Sequence, residues 1–150
     1  MKPPPIVAAE PPDGGELVFA RRWPSRVERK QAMLDELADV LVGRGWVSDD
    51  DREWLLLCLD EVLVNAMIHG NEGDPDLDVD VAIHAAGGRW RLTVCDRGDG
   101  FRGEELPDPD DSSSLLLEHG RGIRIMREWL DDLSYYRSGA CAALTRRCAT

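Results

Sequence analysis

The spacing of apolar residues changes several times along this chain, and each change marks an element. Between residues 26 and 42, Val27, Met33, Leu34, Leu37, Val40 and Leu41 recur at helical intervals, until Gly43 and Gly45 stop the pattern. Ser48 followed by Asp49, Asp50 and Asp51 predicts a second helix start. A hydroxyl there caps free N–H groups, and acids suit the positive end of the helix dipole. That helix should reach about Ile68. From Trp54 on it is apolar at almost every position, so it is expected to be buried nearly all round. Gly70, Asn71, Gly73 and Pro75 close it. Residues 77–85 and 89–95 alternate with period two around Ala86, Gly87 and Gly88, which predicts a hairpin.

The ends of the chain are read the same way. Residues 16–22 alternate weakly and predict a first strand, set off from the first helix by Trp23, Pro24 and Ser25. Past residue 95 comes a glycine-rich stretch, 96–103, then an acidic Pro/Ser segment, 104–114, expected to be mobile. A third helix is expected to begin near Gly120 to Gly122 and to run to about Leu130. Residues 133–147 predict a strand, a turn at Ser138 and Gly139, and a last strand. This order predicts an α/β (α+β) two-layer sandwich, a mixed, mostly antiparallel sheet covered on one face by helices. Residues 1–15 hold most of the prolines without periodicity and are expected to form a flexible arm, leaving 16–150 as one domain.

Composition then narrows the partners. With 150 residues, 43% hydrophobic and 31% charged, the chain can bury a real core. A net charge of −11 argues against nucleic acid, which is gripped by clustered Lys and Arg. No run approaches the roughly 18–20 apolar residues of a membrane span, and the N-terminus lacks a signal-peptide core, so no membrane association and a cytoplasmic location are expected. Cys58, Cys95, Cys141 and Cys148 show no metal-ligand spacing and are expected to be buried free thiols.

Three polar constellations interrupt these patterns. In the second helix Glu61, Asn65 and His69 are spaced by four and share a face, drifting about 40° per step. A carboxylate and an amide buried in an apolar helix need a partner, which a ligand with a metal ion would supply; a bond between the two would supply it as well. Asp96 follows a strand directly and could accept a hydrogen bond from an exocyclic amine such as adenine N6, with Gly98 and Gly100 letting backbone approach a flat ring. Alone, the same residues make an ordinary Asp/Gly turn. Gly120, Arg121 and Gly122 at a helix start offer free N–H groups and a cation to phosphates, or form a plain flexible helix start.

Taken together, the three resemble an ordered motif set. Glu61, Asn65, Ala66, His69 and Gly70 resemble the N box of GHKL (Bergerat-fold, histidine kinase-like) ATPases. Asp96, Gly98 and Gly100 resemble the G1 box, and Gly120 to Ile123 the G2 box. Within that superfamily the N and G2 boxes look like those of bacterial anti-sigma regulatory factors, which are serine/threonine kinases. The resemblance covers about residues 16–147. It implies ATP and Mg²⁺ as cofactors, with Asn65 as the metal ligand and Glu61 as the catalytic base. His69, Asp96, Gly98, Gly100, Gly120, Arg121 and Gly122 would complete the nucleotide site, under a lid formed by 103–119. It further implies an anti-anti-sigma (STAS) protein as substrate, a sigma factor as second partner, and a possible homodimer. Two departures stand out. Gly139 is followed by Ala140 where the family often has threonine, and Glu118 precedes the G2 glycines. They leave open an alternative: a catalytically inactive, nucleotide-gated binding module.

Overall fold

The computed structural model describes residues 4–12, 14–100 and 117–149, with 117–121 as backbone only. The lid segment expected at 103–119 therefore lies almost wholly outside the described residues. Strand β1 spans Glu16–Pro24, and a 3-10 turn at Val27–Arg29 leads into α1, Lys30–Gly43. Ser48 caps a 3-10 turn at Asp49–Asp51 by accepting the Asp51 N–H at 3.2 Å. Helix α2, Arg52–Val64, grows from that turn. Then come β2 (Asp78–Ala86), β3 (Arg89–Cys95), α3 (Leu117–Trp129), β4 (Asp132–Tyr136) and β5 (Cys141–Arg147). Helix α3 thus starts three residues before Gly120.

The strands form one sheet in the order β1-β2-β3-β5-β4, every neighbouring pair antiparallel. The mixed character expected of it shrinks to one parallel bridge, Ile6 with Tyr135. Gly87 and Gly88 join β2 to β3 with φ of +59° and +76°, the left-handed pair that a tight hairpin turn needs. Alternation puts Val79, Val81 and Ile83 of β2, Trp90, Leu92 and Val94 of β3, and Leu144 of β5 on one face. There they meet Leu37 and Leu41 of α1, Leu55, Leu59 and Leu63 of α2, and Ile123 and Met126 of α3 in one core. Helix α2 packs on both α1 and α3.

The expectation that α2 is buried all round is corrected. Leu55, Cys58, Leu59, Val62 and Leu63 face the core, but Trp54 and Leu57 are 40% and 52% exposed. A single layer of helices on a sheet has only one covered side, so an apolar helix in it leaves its far stripe in solvent. Asp60 pairs with Lys30 of α1 at 2.7 Å.

Two further features concern the arm's backbone bonds and the cysteines, and the second corrects an expectation. Residues 5–9 run along the free edge of β4: Tyr135 N–H donates to the Pro5 carbonyl, Val7 N–H to that of Tyr135, and Ser138 N–H to that of Val7. Cys95 and Cys141 are not free thiols; they sit directly opposite in the β3–β5 register and are joined as a disulfide. Cys58 and Cys148 are free, and burial pushes the Cys58 thiol up to about 12.

Candidate functional site

A cavity of about 370 Å³ opens between the end of α2 and the ends of β3 and β5. Its position follows from the fold. Helix α2 does not stop at Val64 but widens into a π turn, Asn65–Gly70, closed by the Asn71 N–H on the Ala66 carbonyl at 2.8 Å. Such i→i+5 turns cluster at functional sites because they swing side chains off the ordinary helical drift. Asn65, His69 and Gly70 line one wall; Val94 comes from β3 and Asp96 from just past its end, and Gly139, Ala140 and Ala142 from the strand entry opposite.

Asp96 is the most constrained of these residues. It is 7% exposed, its N–H donates to the Ala140 carbonyl at 2.8 Å, and its Oδ1 accepts the Gly98 N–H at 2.7 Å. No hydrogen-bond donor reaches Oδ2 among the described residues, so the carboxylate keeps acceptor capacity for a ligand. Burial raises its pKa to about 6, against the opposing pulls of the Gly98 N–H and of Arg137. Gly70 packs against this carboxylate, leaving no space for a side chain there. Gly100 takes φ +90° and lies against the Ser138 carbonyl, so the loop after Asp96 is pressed onto the turn before β5.

Glu61 lies half-buried beside the cavity rather than in its lining. Its Oε1 accepts the Asn65 amide N–H at 3.3 Å. That bond fixes the amide's orientation and leaves its oxygen as the atom to offer a cation. A β-carbon on Gly122 of α3 would collide with the Glu61 carboxyl carbon, so the G2-like and N-like motifs are in direct contact.

Most of the predicted site therefore converges: Asn65, His69, Asp96, Gly98 and Gly100 line one cavity, with Glu61 and Gly122 at its side. Gly120 falls in the first turn of α3, where N–H groups have no partner in the helix, whereas Gly122 lies farther in. The Arg121 side chain is outside the described residues, as is that of Glu118. The chain from residue 23 to residue 147 matches the model of the histidine kinase-like ATPase domain. This chain belongs to the histidine kinase-like ATPase family.

Curated relatives agree with that family. An anti-sigma F factor of Heyndrickxia coagulans is 33% identical over 130 residues, covering 83% of this chain and 81% of that protein. One of Anoxybacillus flavithermus (strain DSM 21510 / WK1) is 35% identical over 78 residues, covering 51% of this chain and 53% of its own length. The chain thus spans about half of one relative and about four-fifths of the other.

One residue of this ATPase domain escaped the motif reading. Asn71 is 0% exposed. Its amide nitrogen donates to Ser25 Oγ at 2.9 Å and to the Asp78 carbonyl at 3.1 Å, and its oxygen accepts the Arg97 N–H at 2.7 Å. It ties the loop after Asp96 to the start of β2 and to the β1–α1 connection. Its only sequence signal was an asparagine between the turn glycines after the π turn.

Proposed function

We propose that this chain binds ATP with Mg²⁺ in the cavity, holds a sigma factor as an anti-sigma factor, and phosphorylates a serine or threonine on an anti-anti-sigma (STAS) protein. One observation carries the reading: a largely buried aspartate at a strand end has an acceptor oxygen that no donor reaches among the described residues, in the same cavity as Asn65, itself bonded to Glu61. The names of the two relatives support the sigma-factor part.

The donor set fits the cofactors. Asp96 would accept the adenine amine, and the Gly98–Gly100 loop would lie along the base. The Asn65 amide oxygen would take one Mg²⁺ position, the phosphates supplying others. Bound Mg²⁺ neutralises phosphate charge, which is most of what phosphoryl transfer needs. Glu61, one turn before Asn65 and beside the phosphate end, would take the proton from the attacking hydroxyl. Backbone N–H groups in the first turn of α3 would face the phosphates.

Calorimetry with Mg-ATP, followed by phosphate transfer to the STAS protein, tests this. Glu61→Gln should bind Mg-ATP within about twofold of the parent and lose transfer by ~10²-fold or more. Full transfer by that variant removes Glu61 as the base, and absence of saturable ATP binding by the parent removes the whole reading. The second reading, a nucleotide-gated module without transfer, is favoured by Ala140, which lines the cavity where family members often carry a threonine hydroxyl. It predicts ATP-dependent capture of the sigma factor with no labelled STAS protein.

A further inference from the structure

Cys95 and Cys141 occupy directly facing positions where β3 and β5 end, with Cα atoms 4.0 Å apart. The residue after Cys95 is Asp96 and the residue before Cys141 is Ala140, and these two close the ladder through the Asp96 N–H on the Ala140 carbonyl. Both also line the cavity, so the sulfur bridge spans the pair of strand ends that carry its adenine wall. By alternation the sulfurs lie on the sheet face away from the helices, behind that wall. Cys95 is 9% exposed and Cys141 0%, so a reagent in solvent meets Cys95 first.

We propose that the Cys95–Cys141 pair is a thiol–disulfide switch that clamps the nucleotide cavity, the oxidised chain binding adenine nucleotide more tightly than the reduced one. The affinity part rests on the ATP reading; the clamp does not. Closing the switch takes a small-molecule disulfide of the oxidised-glutathione class. The Cys95 thiolate attacks one of its sulfurs, forming a mixed disulfide and releasing one small thiol. The Cys141 thiolate attacks the Cys95 sulfur, which forms the bridge and releases the second small thiol. Two electrons pass to the reagent, whose S–S bond breaks, and the two cysteine protons end on the two released thiols. A dithiol reverses it. Reduction removes the covalent tether between β3 and β5 beside Asp96 and Ala140 and frees the two side chains to turn apart. A preorganised wall then becomes one the ligand must order, which weakens binding.

The test uses the whole chain, oxidised with excess oxidised glutathione or reduced with dithiothreitol, each sample read by peptide mass mapping, amide hydrogen exchange and calorimetry with Mg-ATP. The expected results are a Cys95–Cys141 linked peptide only after oxidation, about tenfold faster exchange at the Asp96 amide on reduction, and about three- to tenfold weaker ATP binding on reduction. The double variant C58S/C148S should keep all three differences, and C141S should lose them. Four alkylatable cysteines after oxidation, or equal exchange in the two states, overturns the switch. Equal ATP affinity with unequal exchange overturns its control of the site. If neither state binds ATP, the nucleotide reading and with it the affinity control fall, and the exchange difference alone decides the clamp.

Discussion

Asp96 couples ligand recognition to protonation, because its carboxyl is held mostly out of water at the end of β3. Burial raises its pKa to about 6, so the folded chain takes up a proton there that the unfolded chain binds only near pH 4. Ionised Asp96 therefore costs stability above about pH 6, and the cost disappears as pH falls from there toward 4. A ligand amine donating to the carboxylate favours the ionised form, so the effect on binding has the opposite sign. Affinity for Mg-ATP should drop as pH falls through about 6, and calorimetry at several pH values reads that slope. Asp96→Asn should weaken binding about tenfold or more and flatten the slope, because the amide can still accept but has lost its charge. A slope unchanged in that variant assigns the titration elsewhere. Gly122 makes a second residue-scale case. A methyl there displaces the Glu61 carboxylate, so Gly122→Ala should cut phosphate transfer by ~10²-fold while ATP affinity stays within about threefold.

The elements around the site depend on Asn71 more than on any of the motif residues. Its side-chain hydrogen bonds, made by a residue with no exposure, join the π turn, the loop after Asp96, the start of β2 and the β1–α1 connection. Asn71→Ala strands the Arg97 N–H and takes a donor from the Ser25 hydroxyl and the Asp78 carbonyl, and should cost about 2–4 kcal/mol in urea unfolding. A loss under about 0.5 kcal/mol would show that water replaces the amide. This contribution was illegible in the sequence because its partners are up to 46 positions away. What was legible is what period and capping decide locally: the run of α1, the Ser48 start, the Gly87–Gly88 hairpin, and the helical spacing that puts Glu61 beside Asn65. The exposed stripe of α2 was not, since Leu57 and Leu59 are the same residue type and only the layer arrangement separates them. Nor was the disulfide, because pairing Cys95 with Cys141 requires the β3–β5 register.

At the scale of the molecule, the N-terminal arm bears on a site it does not enter. Arg137 and Ser138 hold φ of +48° and +58°, a left-handed pair that costs non-glycine residues energy unless something braces it. The arm is that brace. Arg137 N–H donates to the Ala9 carbonyl and Ser138 N–H to the Val7 carbonyl, while the Arg137 side chain pairs with Glu10. On the other side of the same turn, the Ser138 carbonyl lies against Gly100, and Gly139 and Ala140 line the cavity. The arm then reaches β3, where Arg91 donates to the Pro12 carbonyl. Removing residues 1–10 should relax the turn, lower the melting temperature by about 3–6 °C and weaken Mg-ATP binding about threefold, although every cavity residue remains. Hydrogen exchange should place the change at residues 134–140 and leave α1 untouched. A truncated chain that melts lower but binds as before would reduce the arm to an edge cover for β4. One that exchanges and binds like the parent would mean the turn is held by β4 and β5 alone.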